Sequence, residues 1–174
     1  MIISSLKQQN LDIRLSKLKK NIRIPGVEWE RPAEYTSGMF AKRIEPDPDA
    51  PSPLFWLWEK EEGLFFINSS DTTLRKVAAM IGGFETCDDE VATVNNAKGY
   101  SYKDVQQNEA VKIEKFCPID DSDYLFQLVI EIDSDTLGNI QITPPVQKGS
   151  VSGQVLLWDN NEAGRRVDVI YKTG

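Results

Sequence analysis

The chain has 174 residues, of which 40% are hydrophobic and 27% charged, a balance typical of a folded globular protein rather than a disordered one. It contains no histidine, which excludes Ser–His and Cys–His nucleophile pairs, histidine bases and histidine metal ligands. The net charge of −7 argues against a general nucleic-acid binder, because neutralising phosphates takes clustered Lys and Arg side chains.

The length suits a single domain, and we expect residues 1–174 to form one. No apolar run approaches the roughly 20 residues that span a bilayer, and the first residues hold no apolar core of signal-peptide length. Cys87 and Cys117 have no CxxC spacing, so we predict free thiols, while a single bridge between them stays open. These features predict a cytoplasmic protein without membrane contact.

Residues 5–21 predict a first helix. Four apolar residues fall at spacings of four, three and four, which is one helical stripe: Leu11, Leu15, Leu18 and Ile22. The alternation at positions 11, 13 and 15 leaves a strand open as the alternative. Residues 1–23 carry a charge of +5, and the rest of the chain therefore carries −12. We expect a basic helix docked on an acidic body.

Residues 27–52 are rich in proline and poor in regular pattern. One short strand is predicted there, at residues 39–44. Residues 45–51, EPDPDAP, predict a stiff, solvated loop that either crosses between elements or acts as a recognition loop.

Residues 54–67 are the stretch around which we expect the fold to be organised. Two apolar runs, LFWLW and LFFI, flank the polar turn EKEEG, which predicts a hairpin with a positive φ at Gly63. Neither run alternates, so either both faces of the hairpin are covered or one aromatic face is an exposed patch for a partner. The candidate binding residues on that patch are Phe55, Trp56, Trp58 and Phe66.

Residues 72–82 predict a second helix. Residues 69–71 supply N-cap side chains, and Gly82 and Gly83 supply a C-terminal stop. The apolar residues between them follow the i, i+3, i+4, i+7 pattern: Leu74, Val77, Ala78 and Ile81.

The C-terminal half predicts strands. Residues 124–132 alternate most clearly and are expected to pair with residues 140–143. Residues 151–158 and 165–171 flank a loop of hairpin composition. The fold class predicted from the whole chain is α+β, with a mostly antiparallel sheet of five to seven strands and two helices, near residues 5–21 and 72–82.

Carboxylates are the remaining candidates for chemistry. Asp133 and Asp135 follow a strand with the spacing of some phosphatase sites, but only 39 residues follow Asp135, too few for the α/β sheet that such a site needs. As a calcium loop, the same stretch places Leu137 and Pro144 where oxygen ligands are required. No catalytic residue, metal ligand or cofactor is therefore predicted.

Acidic clusters complete the candidate binding residues, because a concentrated negative field steers a basic partner. They are Asp88, Asp89, Glu90, Asp120, Asp121 and Asp123. We predict a non-catalytic acidic protein that binds another protein with a basic surface, as an inhibitor, an immunity-type protein or an accessory subunit. Two alternatives stay open: a small-molecule-binding module with an aromatic-lined apolar cavity, and a carboxylate-dependent hydrolase assisted by Mg²⁺.

Overall fold

The chain folds into β-structure throughout the part that a computed structural model describes, which is residues 21–61, 63–87, 90–94, 99–115, 124–148 and 151–172. These residues contain fourteen strands: β1 (Arg23–Ile24), β2 (Glu34–Tyr35), β3 (Arg43–Ile44), β4 (Pro53–Lys60), β5 (Gly63–Asn68), β6 (Leu74–Cys87), β7 (Glu90–Val94), β8 (Tyr100–Val105), β9 (Glu109–Lys115), β10 (Tyr124–Ser134), β11 (Gly138–Thr143), β12 (Gln147–Lys148), β13 (Gln154–Trp158) and β14 (Asp168–Lys172).

The strands form two antiparallel sheets that share one core. The first sheet has the order β1-β9-β5-β4-β13. In the second, β14, β11, β10 and β6 are neighbours in that order, β7 and β8 pair with the far edge of β6, and β12 pairs with β10 beside β11. Within the described ranges, strands β2 and β3 pair with each other and with no further strand. The antiparallel pairing predicted from the sequence is confirmed.

The core lies between the inner faces of the two sheets. Strand β10 shows why: the apolar side chains at positions 126, 128, 130 and 132 point inward, and β11 pairs with it as predicted, with Ile130 opposite Ile142. Burying one such side chain stabilises the fold by roughly 1.5–3 kcal/mol. Fully buried members of the core from both sheets include Phe55, Leu57, Phe66, Val111, Leu128, Ile130, Ile140 and Ile142.

The predicted α+β class is wrong, because the described residues contain no helix and the expected second helix, residues 72–82, lies in strand β6. The register of β6 against β10 shifts at Arg75, where a β-bulge adds one residue. The bulge turns Leu74 and Val77 toward the same core, although residues three positions apart in an unbroken strand face opposite ways. A bulged strand thus reproduces the i, i+3 spacing of a helix.

The other predicted helix, residues 5–21, lies outside the described residues apart from Asn21. Along the described ranges, no helix has the length and apolar character needed to cross a membrane.

The last two long strands do not form a hairpin with each other. Strand β13 pairs with β4 in the first sheet, whereas β14 pairs with β11 in the second. The connection between them crosses the end of the sandwich, and Gly164 donates its N–H to the Leu156 carbonyl at 2.9 Å. A Cβ atom at position 164 would stand 1.8 Å from the Val155 carbonyl oxygen, so the crossing requires glycine.

Asn68 joins two other connections between the sheets. It is fully buried at the end of β5. Its Nδ2 atom donates to the carbonyl oxygens of Thr72, Val105 and Gln106, at 2.9, 3.1 and 3.2 Å. Its Oδ1 atom accepts from the backbone N–H and the hydroxyl of Ser70. One side chain therefore holds the β5–β6 and β8–β9 connections together.

We expect Asn68→Ala to lower the free energy of unfolding by about 3 kcal/mol or more, because several buried polar groups lose their partners at once. Urea unfolding measures the change. The control is Asn139→Ala on the exposed side of β11, for which a change within about 0.5 kcal/mol is expected. Equal effects of the two substitutions would contradict the role assigned to Asn68.

Tyr102 connects the core to the N-terminal strand. Its ring is buried, and its hydroxyl donates to the Lys112 carbonyl at 2.6 Å and accepts from the Ile22 N–H at 3.2 Å. Burial raises the pKa of this hydroxyl, and burial raises the pKa of Tyr100 to about 12. The folded protein therefore holds both protons more tightly than the unfolded chain does.

Stability should fall as pH rises from the ordinary tyrosine pKa of 10.0 toward about 12, because the unfolded chain releases these protons first. Tyr102→Phe should make this fall shallower and cost about 1–2 kcal/mol at neutral pH, since two hydrogen bonds are lost. Urea unfolding at a series of pH values tests both. An unchanged alkaline slope would contradict the contribution of Tyr102, and Tyr171→Phe on exposed β14 is the control at neutral pH.

Candidate functional site

The β4–β5 hairpin is present, and its aromatic residues divide between its two faces. Phe55 and Phe66 are fully buried in the core, with ring centroids 5.5 Å apart, and have no surface to offer a partner. Trp56 and Trp58 point to the outer face of the first sheet and are half-buried there. The positive φ of the turn falls at Glu61 (55°) rather than at Gly63, which pairs with Lys60.

A groove rich in tryptophan, here called the Trp groove, lies on this outer face. Trp29, Trp56 and Trp158 line it, and its volume is about 450 Å³. The edge of Trp29 meets Trp158 at a centroid distance of 5.9 Å and an angle of 89°. Trp56 donates its Nε1–H to the Ser69 hydroxyl at 2.8 Å, so its polar atom is satisfied. The groove presents aromatic surface to whatever enters it.

Charged side chains stand around the Trp groove. The Arg31 guanidinium lies 5.0 Å from the centre of the Trp29 ring and donates to the Pro51 carbonyl. Glu34 also lines the groove. Glu59 accepts a hydrogen bond of 3.1 Å from the N–H of Gly153, another lining residue. An apolar floor with a mixed polar rim is the usual anatomy of a binding surface.

The other half of the outer face is covered by the chain itself. Ile22, Ile24 and Val27 pack against Phe65 and its apolar neighbours on β5 and β9. Trp58 contacts Phe65 at 5.8 Å between ring centroids, and a depression of about 520 Å³ remains beside them, with Lys60 and Lys112 in its lining. Only the Trp groove therefore combines several indole rings in the described part of this face.

A second feature projects from the first sheet and is here called the arm, residues 34–44. It comprises β2, β3 and the turn between them, and is closed by a 2.8 Å hydrogen bond from the Thr36 N–H to the Lys42 carbonyl. Met39 and Phe40 at its tip are 93% and 85% exposed. Tyr35 and Ile44 are also exposed, which makes the arm a protruding apolar surface.

The acidic candidates lie mostly outside the described residues. This applies to Asp88, Asp89, Asp120, Asp121 and Asp123. Glu90 begins strand β7. Whether Cys87 and Cys117 pair also stays a prediction, because residue 117 is outside the described ranges. Where the structure describes the chain, no group of three Cys, Asp or Glu side chains is placed to hold a metal ion.

The aspartates at the end of β10 interact with one arginine. Arg75 forms ion pairs with Asp133 and, at 2.9 Å, with Asp135, and these carboxylates raise the pKa of the guanidinium. Arg75 is the bulge residue of β6. The bulge therefore places a cation between two carboxylates at the strand end. Pairing with Arg75 gives the two aspartates a structural role.

Sequence reasoning missed the arm and two of the three groove tryptophans. The expected strand at residues 39–44 is found only at Arg43–Ile44. Ser37-Gly38 is a turn signal, and the strands of the arm lie on either side of it, so this dipeptide was the available clue. Trp29 and Trp158 carry no local signal, because the fold alone brings them together.

Comparison of the chain with protein-family models, with curated proteins and with solved structures gave no match.

A double-mutant cycle tests the geometry of the Trp groove. Trp29→Ala and Trp158→Ala should be coupled by about 0.5–1.5 kcal/mol in the free energy of unfolding, because the two rings meet edge to face. The same cycle between Trp29 and Trp58, whose ring contact is with Phe65, should give coupling below about 0.5 kcal/mol. Equal coupling energies in the two cycles would contradict the edge-to-face contact between Trp29 and Trp158 in the groove.

Proposed function

We propose that this protein is non-catalytic and acts by binding another protein, with the arm as its main contact. The observation that carries the proposal is the near-complete exposure of Met39 and Phe40 side by side at the tip. Large apolar side chains that cluster in solvent mark interaction sites, whereas single exposed ones are ordinary. Both residue types are also enriched at protein interfaces.

The structure of the arm supports the same proposal. Every residue from 31 to 49 is exposed, so the arm has no core of its own. A two-stranded hairpin is only marginally stable in water, and a surface that covers one side of it would supply the missing packing. The sandwich, in contrast, has a complete core and serves as a rigid support.

The alternatives have less support. A small-molecule module was expected to enclose its ligand in an aromatic cavity, but Phe55 and Phe66 fill the core, and the Trp groove is open to solvent. A carboxylate hydrolase needs converging acids, and the two aspartates at the end of β10, Asp133 in the strand and Asp135 in the following turn, are both paired with Arg75. The expectation of a basic partner keeps its basis in the acidic charge of the chain beyond residue 23.

The test immobilises the full chain and two double variants of it as bait and measures the protein that each recovers from a lysate of the source cells. Each double variant replaces one pair of exposed apolar residues. The double variant Met39→Ser/Phe40→Ser should reduce recovery of the bound protein by roughly tenfold or more, the effect of losing interface hot spots. The control is Met80→Ser/Ile170→Ser, which changes two exposed apolar residues of the second sheet and should bind as the unchanged protein does.

Urea unfolding should show that both double variants keep the stability of the parent within about 0.5 kcal/mol, because none of the four side chains is buried. Equal recovery with the arm variant and the control variant would reject the arm as the contact. Recovery should also weaken with added salt if the acidic surface contributes.

A further inference from the structure

We propose that the arm binds a second copy of this chain, and that two copies exchange arms about a two-fold axis so that each tip sits in the Trp groove of the other. This inference rests on the proposed function, because it names the partner of the same surface. It draws on three observations: the shapes of the tip and groove, their relative position, and their charges.

The tip and the groove are complementary in chemistry. Met39 and Phe40 form a narrow apolar projection, and the groove offers indole rings from Trp29, Trp56 and Trp158. A phenyl ring packs well against indole edges and faces, and a thioether makes favourable contacts with aromatic rings. The volume of the groove, about 450 Å³, accommodates two side chains of this size.

Their relative position favours exchange between two copies. Residues at the base of the arm, Arg31, Pro32 and Glu34, line the groove, so the arm starts at its rim. The tip lies in the turn of the arm, five residues beyond Glu34, and its exposure shows that it does not fill its own groove. A projection and a groove that are neighbours on one face satisfy each other reciprocally across a two-fold axis.

The charges alternate along the same segment. The base, residues 27–34, carries −2 from Glu28, Glu30 and Glu34 against Arg31. Residues 35–44, the part of the arm beyond Glu34, carry +2 from Lys42 and Arg43. Neither of these two cations takes part in an ion pair within the described chain. Reciprocal exchange brings Lys42 and Arg43 of each arm to the negative base of the other copy, which steers and orients the contact.

Exchange also covers exposed backbone. Among the strands that the structure describes, β2 and β3 pair only with each other, so each has an outer edge without a strand partner there. Unpaired edges are ready templates for pairing with another chain. A second copy laid along the arm would cover at least one of them.

The experiment measures the mass of the full chain in solution by light scattering and sedimentation, over a range of concentrations and at low and high salt. We expect a dimer that weakens with salt. Phe40→Ser and Lys42→Glu/Arg43→Glu should each raise the dimer dissociation constant by roughly tenfold or more. The charge control is Lys148→Glu/Arg165→Glu, which reverses two exposed cations outside the arm and should leave the constant unchanged.

Charge exchange provides a rescue that loss of folding cannot imitate. The variant Glu28→Lys/Glu30→Lys, mixed with Lys42→Glu/Arg43→Glu, should form a mixed dimer more tightly than either variant forms its own, because both reciprocal contacts then pair opposite charges, whereas each variant alone pairs like charges. A photo-crosslinking residue at position 40 should attach to the peptide containing Trp158 of the other copy, and mass spectrometry identifies the site.

Three results would overturn the second-copy proposal. If the arm variants leave the dimer dissociation constant unchanged, the dimer forms through another interface. A monomer that still captures a different protein through the arm leaves the proposed function standing and removes only this inference. A monomer whose arm binds phosphatidylcholine vesicles, with no captured protein, assigns the tip to a lipid surface and removes both.

Discussion

The sandwich depends on how its two sheets are joined, and Asn68 is the side chain on which that joining depends. This one buried amide donates to three carbonyl oxygens and accepts from the backbone N–H and the hydroxyl of Ser70. The carbonyls lie at two chain crossings between the sheets, and those of Thr72 and Gln106 belong to the connections rather than to a strand. A backbone turn buried in this way needs a side chain with both donors and an acceptor, and asparagine supplies both.

Because those crossings are fixed, the faces of each strand are fixed too. In β4 the residues alternate strictly, so Phe55 and Leu57 enter the core while Trp56 and Trp58 point outward. A shift of one residue would exchange the two sets. The position of the Trp groove is thus a consequence of core packing, and the rigidity of the core is what holds Trp56 beside Trp29 and Trp158, which reach the groove from distant parts of the sequence.

The sequence predicts those parts of the fold in which one strand carries one clean period. Strand β10 alternates, so the strand predicted at residues 124–132 lies within it and pairs with β11 as expected, although β10 continues two residues further, to Ser134. Strand β6 does not, because the bulge at Arg75 inserts a residue and makes a strand resemble a helix. The apolar runs of the hairpin were ambiguous for a different reason. One face is covered by the other sheet, and on the outer face residues 22–27 cover Phe65, while the half-buried rings of Trp56 and Trp58 occupy positions where polar residues would otherwise mark a solvent-facing side.

The site was predicted only in part, since binding surfaces are assembled across the chain. Trp56 was identified because it stands in a local cluster of aromatics, whereas Trp29 and Trp158 stand alone in sequence. The arm was missed because its exposed residues, Met39 and Phe40, are of the same types that fill protein cores. Sequence alone does not distinguish an apolar residue that is buried in the fold from one that is exposed.

Charge and apolar surface have separate tasks in the proposed contact. Exposed ion pairs contribute little affinity and are screened by salt, so Lys42 and Arg43 of the arm would not hold two copies together by themselves. Burial of Met39 and Phe40 supplies affinity but no direction, because the hydrophobic effect is not directional. Opposite charges at the base and along the arm favour one antiparallel arrangement of two arms and oppose the parallel one, in which like charges would meet. An apolar tip with charges of alternating sign behind it therefore combines affinity with a defined orientation, as a symmetric exchange requires.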